Sequence, residues 1–191
     1  MIPQVENASE AKHVIASAKF GAKNGGTRSA PPPGRFLPGF NDQTLDTSKS
    51  FWENIMLQQA IIIQVETLNA IQNLDTILTE CGKDIDAVWL GSLDCRVSMG
   101  LDSSLTAAND EPEWLEAVAL YERTMAKHNK PKAGFTMGVT PQQKADGAKG
   151  KVIAALGYDI FALVGQGVDL MQTKPLLPAI NLSKPVKNEM N

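Results

Sequence analysis

Ala60-Ile61-Ile62-Ile63-Gln64-Val65-Glu66-Thr67 is the stretch on which the fold turns. Its short, continuous apolar run is the pattern of a strand buried on both faces. It ends on an amide and a carboxylate. A helical pattern follows at once, with Leu68, Ile71, Leu74, Ile77 and Leu78 on one face. A second apolar strand, Ala87-Val88-Trp89-Leu90-Gly91-Ser92-Leu93-Asp94, ends on a carboxylate 28 residues after Glu66. Two such strands, parallel and side by side, bring both carboxylates to one rim.

Outward from this pair, the chain alternates. Ile2-Pro3-Gln4-Val5 reads as the tail of a strand, and Asn7 or Ser9 can cap a helix through Phe20, with Ala11, Val14, Ile15 and Ala18 on one face. Gly21 to Gly39 is rich in Gly and Pro and, with the polar segment through Ser50, forms a connection of about 28 residues. Connections above roughly 12–15 residues are usually functional or disordered, and this one is read as a loop on the active-site side. Phe51 to Gln59 reads as helix. The helix from Thr67 to Thr79 stops at Cys81-Gly82, with Gly82 expected as a left-handed residue after the helix end. Glu111 to Asn129 opens on Glu-Pro-Glu, suited to a first helical turn. Ala133 to Met137 reads as a strand, Thr140 to Leu156 as a helix ending at Gly157, Ile160 to Val164 as another strand, and the segment to Leu176 as a short helix. A polar tail starts at Pro178. Such alternation implies a parallel sheet with right-handed crossovers. Five strands suffice for an open sheet but not for a closed eight-stranded barrel.

The 191 residues, 43% hydrophobic and 20% charged, are those of a globular chain long enough for one domain. A net charge of −3 gives no reason to expect nucleic acid or an anionic membrane as partner. The apolar runs are too short to span a bilayer. Met1-Ile2-Pro3-Gln4-Val5 lacks a basic and an apolar leader region, so the expected compartment is the cytoplasm. The two cysteines, Cys81 and Cys95, match neither a zinc pattern nor a disulfide framework and are expected as reduced thiols.

In parallel α/β architectures, sites form at the C-terminal ends of the strands, where Glu66 and Asp94 are expected. Two carboxylates, with waters and a bidentate substrate, suit the oxygen shell of Mg²⁺ or Mn²⁺. Neither His13 nor His128 ends a strand, which argues against a His-rich zinc site. The plainer alternative makes Glu66 an acid at a helix start and Asp94 a loop acid or cap. Two neighbours favour a site. Gln64 lies two residues before Glu66 on the same strand face, and Gly91 to Asp94 brings backbone N–H groups to the same place.

These segments resemble the HpcH/HpaI aldolase family. Gln64-Val65-Glu66-Thr67 and the helix Asn69-Ala70-Ile71-Gln72-Asn73-Leu74-Asp75-Thr76-Ile77-Leu78 are similar to its metal-strand motif. Ile85 to Asp94, then Ser98-Met99-Gly100, resembles its second motif. Ile2 to Ala11 and Gly157 to Asp169 resemble two further segments, so the likeness runs from Met1 to about Leu177. The resemblance implies a class II metal-dependent aldolase acting on pyruvate or a related 2-oxo acid, with an aldehyde as the other partner. It implies Glu66 and Asp94 as ligands of Mg²⁺ or Mn²⁺, Gln64 in contact with the oxo acid, and the backbone at Leu93 binding its carboxylate. It also implies a (β/α)₈ TIM barrel, assembled as a trimer or hexamer. This chain would supply strands 4–8 with their helices, without the first three β/α units, as a domain over residues 1–177 and a tail over 178–191.

The departures from the family matter. Its general-base His and its transition-state Arg fall in the first three units and have no counterpart by position here. Leu93 stands where the family has Ala. Arg96, beside Asp94, is expected to face solvent. The chain is therefore expected to be a fragment that self-associates to cover its open edges. Two alternatives accompany the aldolase reading: a lyase acting on an acyl-CoA thioester of citryl or malyl type, and an inactive partial barrel that only binds metal or self-associates.

Overall fold

The structure, a computed structural model, describes residues 1–21, 23, 25–29, 46, 48–49, 51–104, 108–136 and 141–155. The opening stretch condenses into β1, Ile62–Val65, in which Ile63 and Val65 are fully buried. Two helices precede it, α1 (Ala8–Ala18) and α2 (Phe51–Leu57). After it come α3 (Leu68–Cys81), β2 (Ala87–Leu90), α4 (Ser92–Ser98), α5 (Pro112–Lys127), β3 (Lys132–Phe135), α6 (Pro141–Ala148) and β4 (Lys151–Ala155).

The four strands form one sheet in the order β1-β2-β3-β4. β1 pairs with β2 in parallel, Ile62 opposite Ala87 and Val65 opposite Leu90, and β2 pairs with β3 in parallel, Val88 opposite Lys132. The expected first strand is reduced to a single parallel bridge of Ile2 to Ile63. It still covers the β1 edge: the Ile2 N–H donates to the Ile62 carbonyl, the Gln64 N–H to Ile2 and the Val5 N–H to Gln64.

The chain divides into two units, residues 1–134 with 148–154, and residues 135–147 with 155–191. In the first unit the core gathers on α3. Ala70, Ile71, Leu74, Ile77 and Leu78, at helical spacing, are all buried. Fully burying one such Leu or Ile is worth roughly 1.5–3 kcal/mol. Val5, Ala11 and Ile15 pack into this core from the N-terminal side, and Trp114, Ala117, Tyr121 and Met125 from α5. The Tyr121 hydroxyl donates to the Val88 carbonyl at 3.1 Å, which ties α5 to β2.

The helix ends follow local chemistry. Asn7 caps α1, its side chain accepting the Glu10 N–H at 3.0 Å, and Thr67 caps α3 by accepting the Ala70 N–H at 3.0 Å. Two helices close with the paired bonds of a Schellman motif. After α4, Gly100 (φ 71°) donates to Val97 and Leu101 donates to Arg96. After α5, Asn129 (φ 47°) donates to Ala126 and Lys130 to Met125.

The second unit, by itself, holds most of α6, where the Gln142 side chain donates to Asp146, and Thr136, whose N–H and hydroxyl both donate to the Ala155 carbonyl.

Three expectations are corrected here. The helix expected from Thr140 to Leu156 stops at Ala148, and Lys151–Ala155 is a strand. Gly147 weakens the helix, Gly150 turns the chain at φ 72°, and the β-branched Val152 and Ile153 favour extension. Gly82 is not left-handed: its φ is −55°, and the chain runs on through a 3-10 turn to Asp84. The end of the second strand is the third. The strand stops at Leu90, and Ser92, Leu93 and Asp94 are already helix. The strand expected at Ile160–Val164, the helix to Leu176, the polar tail and most of the Gly21–Ser50 connection lie outside the described residues.

Candidate functional site

Glu66 sits between the last residue of β1 and the cap of α3, so its backbone is fixed on both sides. Its side chain is 6% exposed. One carboxylate oxygen accepts the Gln4 N–H at 3.0 Å, and the other accepts from the Gln64 side-chain amide. Gln4 holds a left-handed conformation, φ 54°, to present that N–H. A non-glycine residue there is uncommon and strained, and the segment keeps it because the edge hydrogen bonds of Ile2 and Val5 on either side dictate its path.

The sheet register puts Gly91 across from Glu66, and the Gly91 N–H donates to the Val65 carbonyl at 2.9 Å. A Cβ at Gly91 would lie 2.6 Å from the Glu66 Cγ and 2.9 Å from its Oε1. The glycine is therefore the cradle that the Glu66 side chain occupies.

Asp94 reaches the same place by another route than a strand end. It is the third residue of α4, and side chains on a helix tilt toward its N-terminus. That tilt returns the Asp94 carboxyl to the rim, within hydrogen-bonding reach of Glu66. Burial pushes the Glu66 carboxyl above the ordinary carboxylate range, the Gln4 N–H opposes this, and the facing Asp94 charge adds to it. None of the ion pairs among the described residues involves Glu66 or Asp94.

The other expected residues divide. Gln64 is at the rim and its amide is engaged with Glu66. Leu93 lies in the first turn of α4 with its side chain 47% exposed, and first-turn N–H groups have no acceptor inside their own helix. His13 is exposed on α1, and His128 caps α5 with its ring 2.7 Å from Asp75, so neither reaches the carboxylates. Both cysteines are free and buried, and burial raises the Cys95 thiol to about 11.

Arg96 contradicts its expectation. It does not face solvent but is 3% exposed. Its guanidinium donates to both Glu111 carboxylate oxygens, at 2.8 and 2.6 Å, and to the Asp102 carbonyl, while the Trp114 ring lies 5.4 Å from its Cζ. The sequence signal was faint: an acid at the start of the next helix. The Gln4 N–H and the Gly91 cradle were missed too, since both depend on pairing between distant segments.

The donor set suits a hard divalent ion. Two carboxylates lean together with no ion pair to a cationic side chain among the described residues, and both offer oxygen. Among the described residues, no group of three or more His, Cys, Asp or Glu gathers, so water and substrate would complete the shell. No helix of the described residues is long and apolar enough to cross a membrane.

Comparison with known proteins follows this geometry. The family model for HpcH/HpaI aldolase/citrate lyase matches residues 1–164. The 4-hydroxy-2-oxo-heptane-1,7-dioate aldolase of Salmonella paratyphi C is 26% identical over 181 residues, which cover 91% of this chain and 60% of that protein. The 4-hydroxy-2-oxovalerate aldolase of Novosphingobium aromaticivorans is 30% identical over 102 residues, covering 53% of this chain and 34% of that one. The HpcH/HpaI aldolase of Desulfitobacterium hafniense superposes with a TM-score of 0.68 at 20% identity, over 91% of this chain and 62% of its own. That likeness shows a shared parallel α/β fold. The chain spans about 60% of the length of the Salmonella relative it matches.

Proposed function

Because the chain belongs to the HpcH/HpaI aldolase/citrate lyase family, we propose that it serves a metal-dependent carbon–carbon lyase that makes or breaks a bond next to the carbonyl of a pyruvate-type 2-oxo acid. The observation that carries this reading is the meeting of Glu66, just after β1, with Asp94, in the first turn of α4, beside two neighbouring parallel strands. In this reading residues 1–177 belong to the strand 4–8 part of a (β/α)₈ barrel, with 178–191 as a tail. The protein works in the cytoplasm as a trimer or hexamer, with a 2-oxo acid and an aldehyde as its small-molecule partners.

Glu66 and Asp94 would hold Mg²⁺ or Mn²⁺. When bound, the ion supplies Lewis-acid polarisation of the 2-oxo acid's carbonyl. The protein's part is placement. Gly91 leaves the room that Glu66 needs, and the Gln4 N–H holds one of its oxygens, which leaves the carboxylate a restricted choice of direction. Gln64 positions the other oxygen and would contact the substrate carbonyl. The Leu93 N–H, in the first turn of α4, would receive the substrate carboxylate. Excluding water at this buried acid strengthens each of these interactions.

A retro-aldol assay with Mn²⁺ or Mg²⁺ on 4-hydroxy-2-oxo acids tests the reading. Turnover that depends on the metal and falls at least ~100-fold in Glu66→Gln supports it. Mn²⁺ binding that survives both Glu66→Gln and Asp94→Asn would remove the site assignment. One observation favours a second reading: both histidines of the chain lie away from the carboxylates, one exposed and one on Asp75. A chain that binds Mn²⁺ through Glu66 and Asp94, yet shows no turnover, would be a binding module lacking a proton-transfer group.

A further inference from the structure

We propose that Arg96 is a positioning residue. Through its clamp on the Asp102 carbonyl and the Glu111 carboxylate, it fixes the short helix that carries Asp94 against the Glu66 rim. The inference rests on the two-carboxylate reading and deepens it.

Among the described residues, little else holds α4. It has seven residues and no side-chain N-cap, and only Cys95 and Arg96 of it are buried. Helices shorter than roughly 12–15 residues are marginal by themselves, so tertiary anchors decide the orientation of this one. Cys95 gives a buried but non-directional contact. Arg96 gives a directional one, because a planar guanidinium fork meets a carboxylate in a single geometry. It bonds to Glu111 at 2.6 and 2.8 Å and to the Asp102 carbonyl at 2.9 Å.

The partners are themselves anchored. Glu111 precedes α5, a 16-residue helix held by the buried Trp114, Ala117, Tyr121 and Met125 and by the Tyr121 bond to β2. A mechanical path therefore runs from β2 through α5 and Glu111 to Arg96. Residues two apart on a helix point roughly 200° apart. With Arg96 locked toward α5, Asp94 is turned toward the opposite side, where Glu66 stands. Arg96 is too buried and too fully bonded to take a substrate anion, so its effect on the site passes through Asp94.

The test measures Mn²⁺ affinity by titration calorimetry and by the free-Mn²⁺ electron paramagnetic resonance signal, on the full chain and independently of turnover. Arg96→Met is expected to weaken Mn²⁺ binding about tenfold, the lower end of what supporting partners of metal ligands contribute. In an Asp94→Asn background the same substitution should cost less than about twofold more, because the group it positions is already gone. Should Arg96→Met fail to fold, Glu111→Gln, changed on the more exposed partner, is expected to act in the same direction with the same dependence on Asp94. Unchanged Mn²⁺ affinity, or a loss that adds in full to that of Asp94→Asn, overturns the proposal. If Asp94→Asn leaves Mn²⁺ affinity untouched, the two-carboxylate reading itself falls, and this inference with it.

Discussion

Glu66 is an acid held where acids are costly, and that sets its pH behaviour. Burial first, then the Asp94 charge, raise its carboxyl in the folded state. The folded chain therefore keeps a proton that the unfolded chain has released. Metal-free stability falls as pH rises from the ordinary carboxylate range through the raised value of Glu66. Glu66→Gln removes this titration. With a chelator present at pH 7 it is expected to raise Tm, and without chelator to abolish Mn²⁺ binding. A variant no more stable than the parent would show that the buried charge is not the source of the shift. Gly91→Ala makes the complementary prediction. Its Cβ would press on the Glu66 Cγ at 2.6 Å, so overpacking should cost ~1–3 kcal/mol and displace the carboxylate. Mn²⁺ affinity should fall at least ~tenfold. Glu66 was legible from sequence because an acid ending a buried strand is unusual. Gln4 and Gly91 were not, since nothing local to them signals the contact.

At the scale of elements, periodicity located β1, α3, β2 and α5 within a few residues, because each carries a long or continuous apolar pattern. It failed where the pattern was short. Leu90-Gly91-Ser92-Leu93 alternates like a strand, yet the chain turns at Gly91 and begins α4 without a side-chain cap. This is why Asp94 arrives on a helix rather than at a strand end. The burial of Arg96 is hidden for a related reason: local sequence shows only a cation beside Asp94, and the later Glu111 and Trp114 make its burial tolerable. The far end of α4 is better determined. Gly100 sits at φ 71°, and a Cβ there would meet nothing within 4 Å, so Gly100→Ala carries a conformational cost alone. The expected loss is about 1–2 kcal/mol. In urea the midpoint should fall with the m-value unchanged. A change in m instead would mean that the loop after α4, not only its last turn, had come loose.

For the whole molecule, the family was legible from motifs such as Gln64 to Thr67 and Ile85 to Asp94, and the parallel α/β plan from the alternation of apolar strand and helix patterns. The proposed site would be a product of long-range pairing. Its acids follow β1 and open α4, and the N–H that steadies Glu66 comes from the segment bridged to the β1 edge. These parts meet only after β1 has paired with β2 and Ile2 with Ile63, so the unfolded chain offers no equivalent site. An ion that binds only the folded chain stabilises it by mass action, by about 2.7 kcal/mol at a hundredfold excess over Kd. At roughly 2–4 °C per kcal/mol, saturating Mn²⁺ is expected to raise Tm by about 5–10 °C. Glu66→Gln and Asp94→Asn should each abolish the rise. Gln4→Pro removes the N–H that holds Glu66 and cannot adopt φ 54°, so it should shrink the rise while leaving the distant α3–α5 packing in place. A rise that persisted in both acid variants would put the ion elsewhere on the protein. A rise lost in the acid variants but unaffected by Gln4→Pro would show that strand pairing alone, without the N-terminal segment, is enough to aim Glu66.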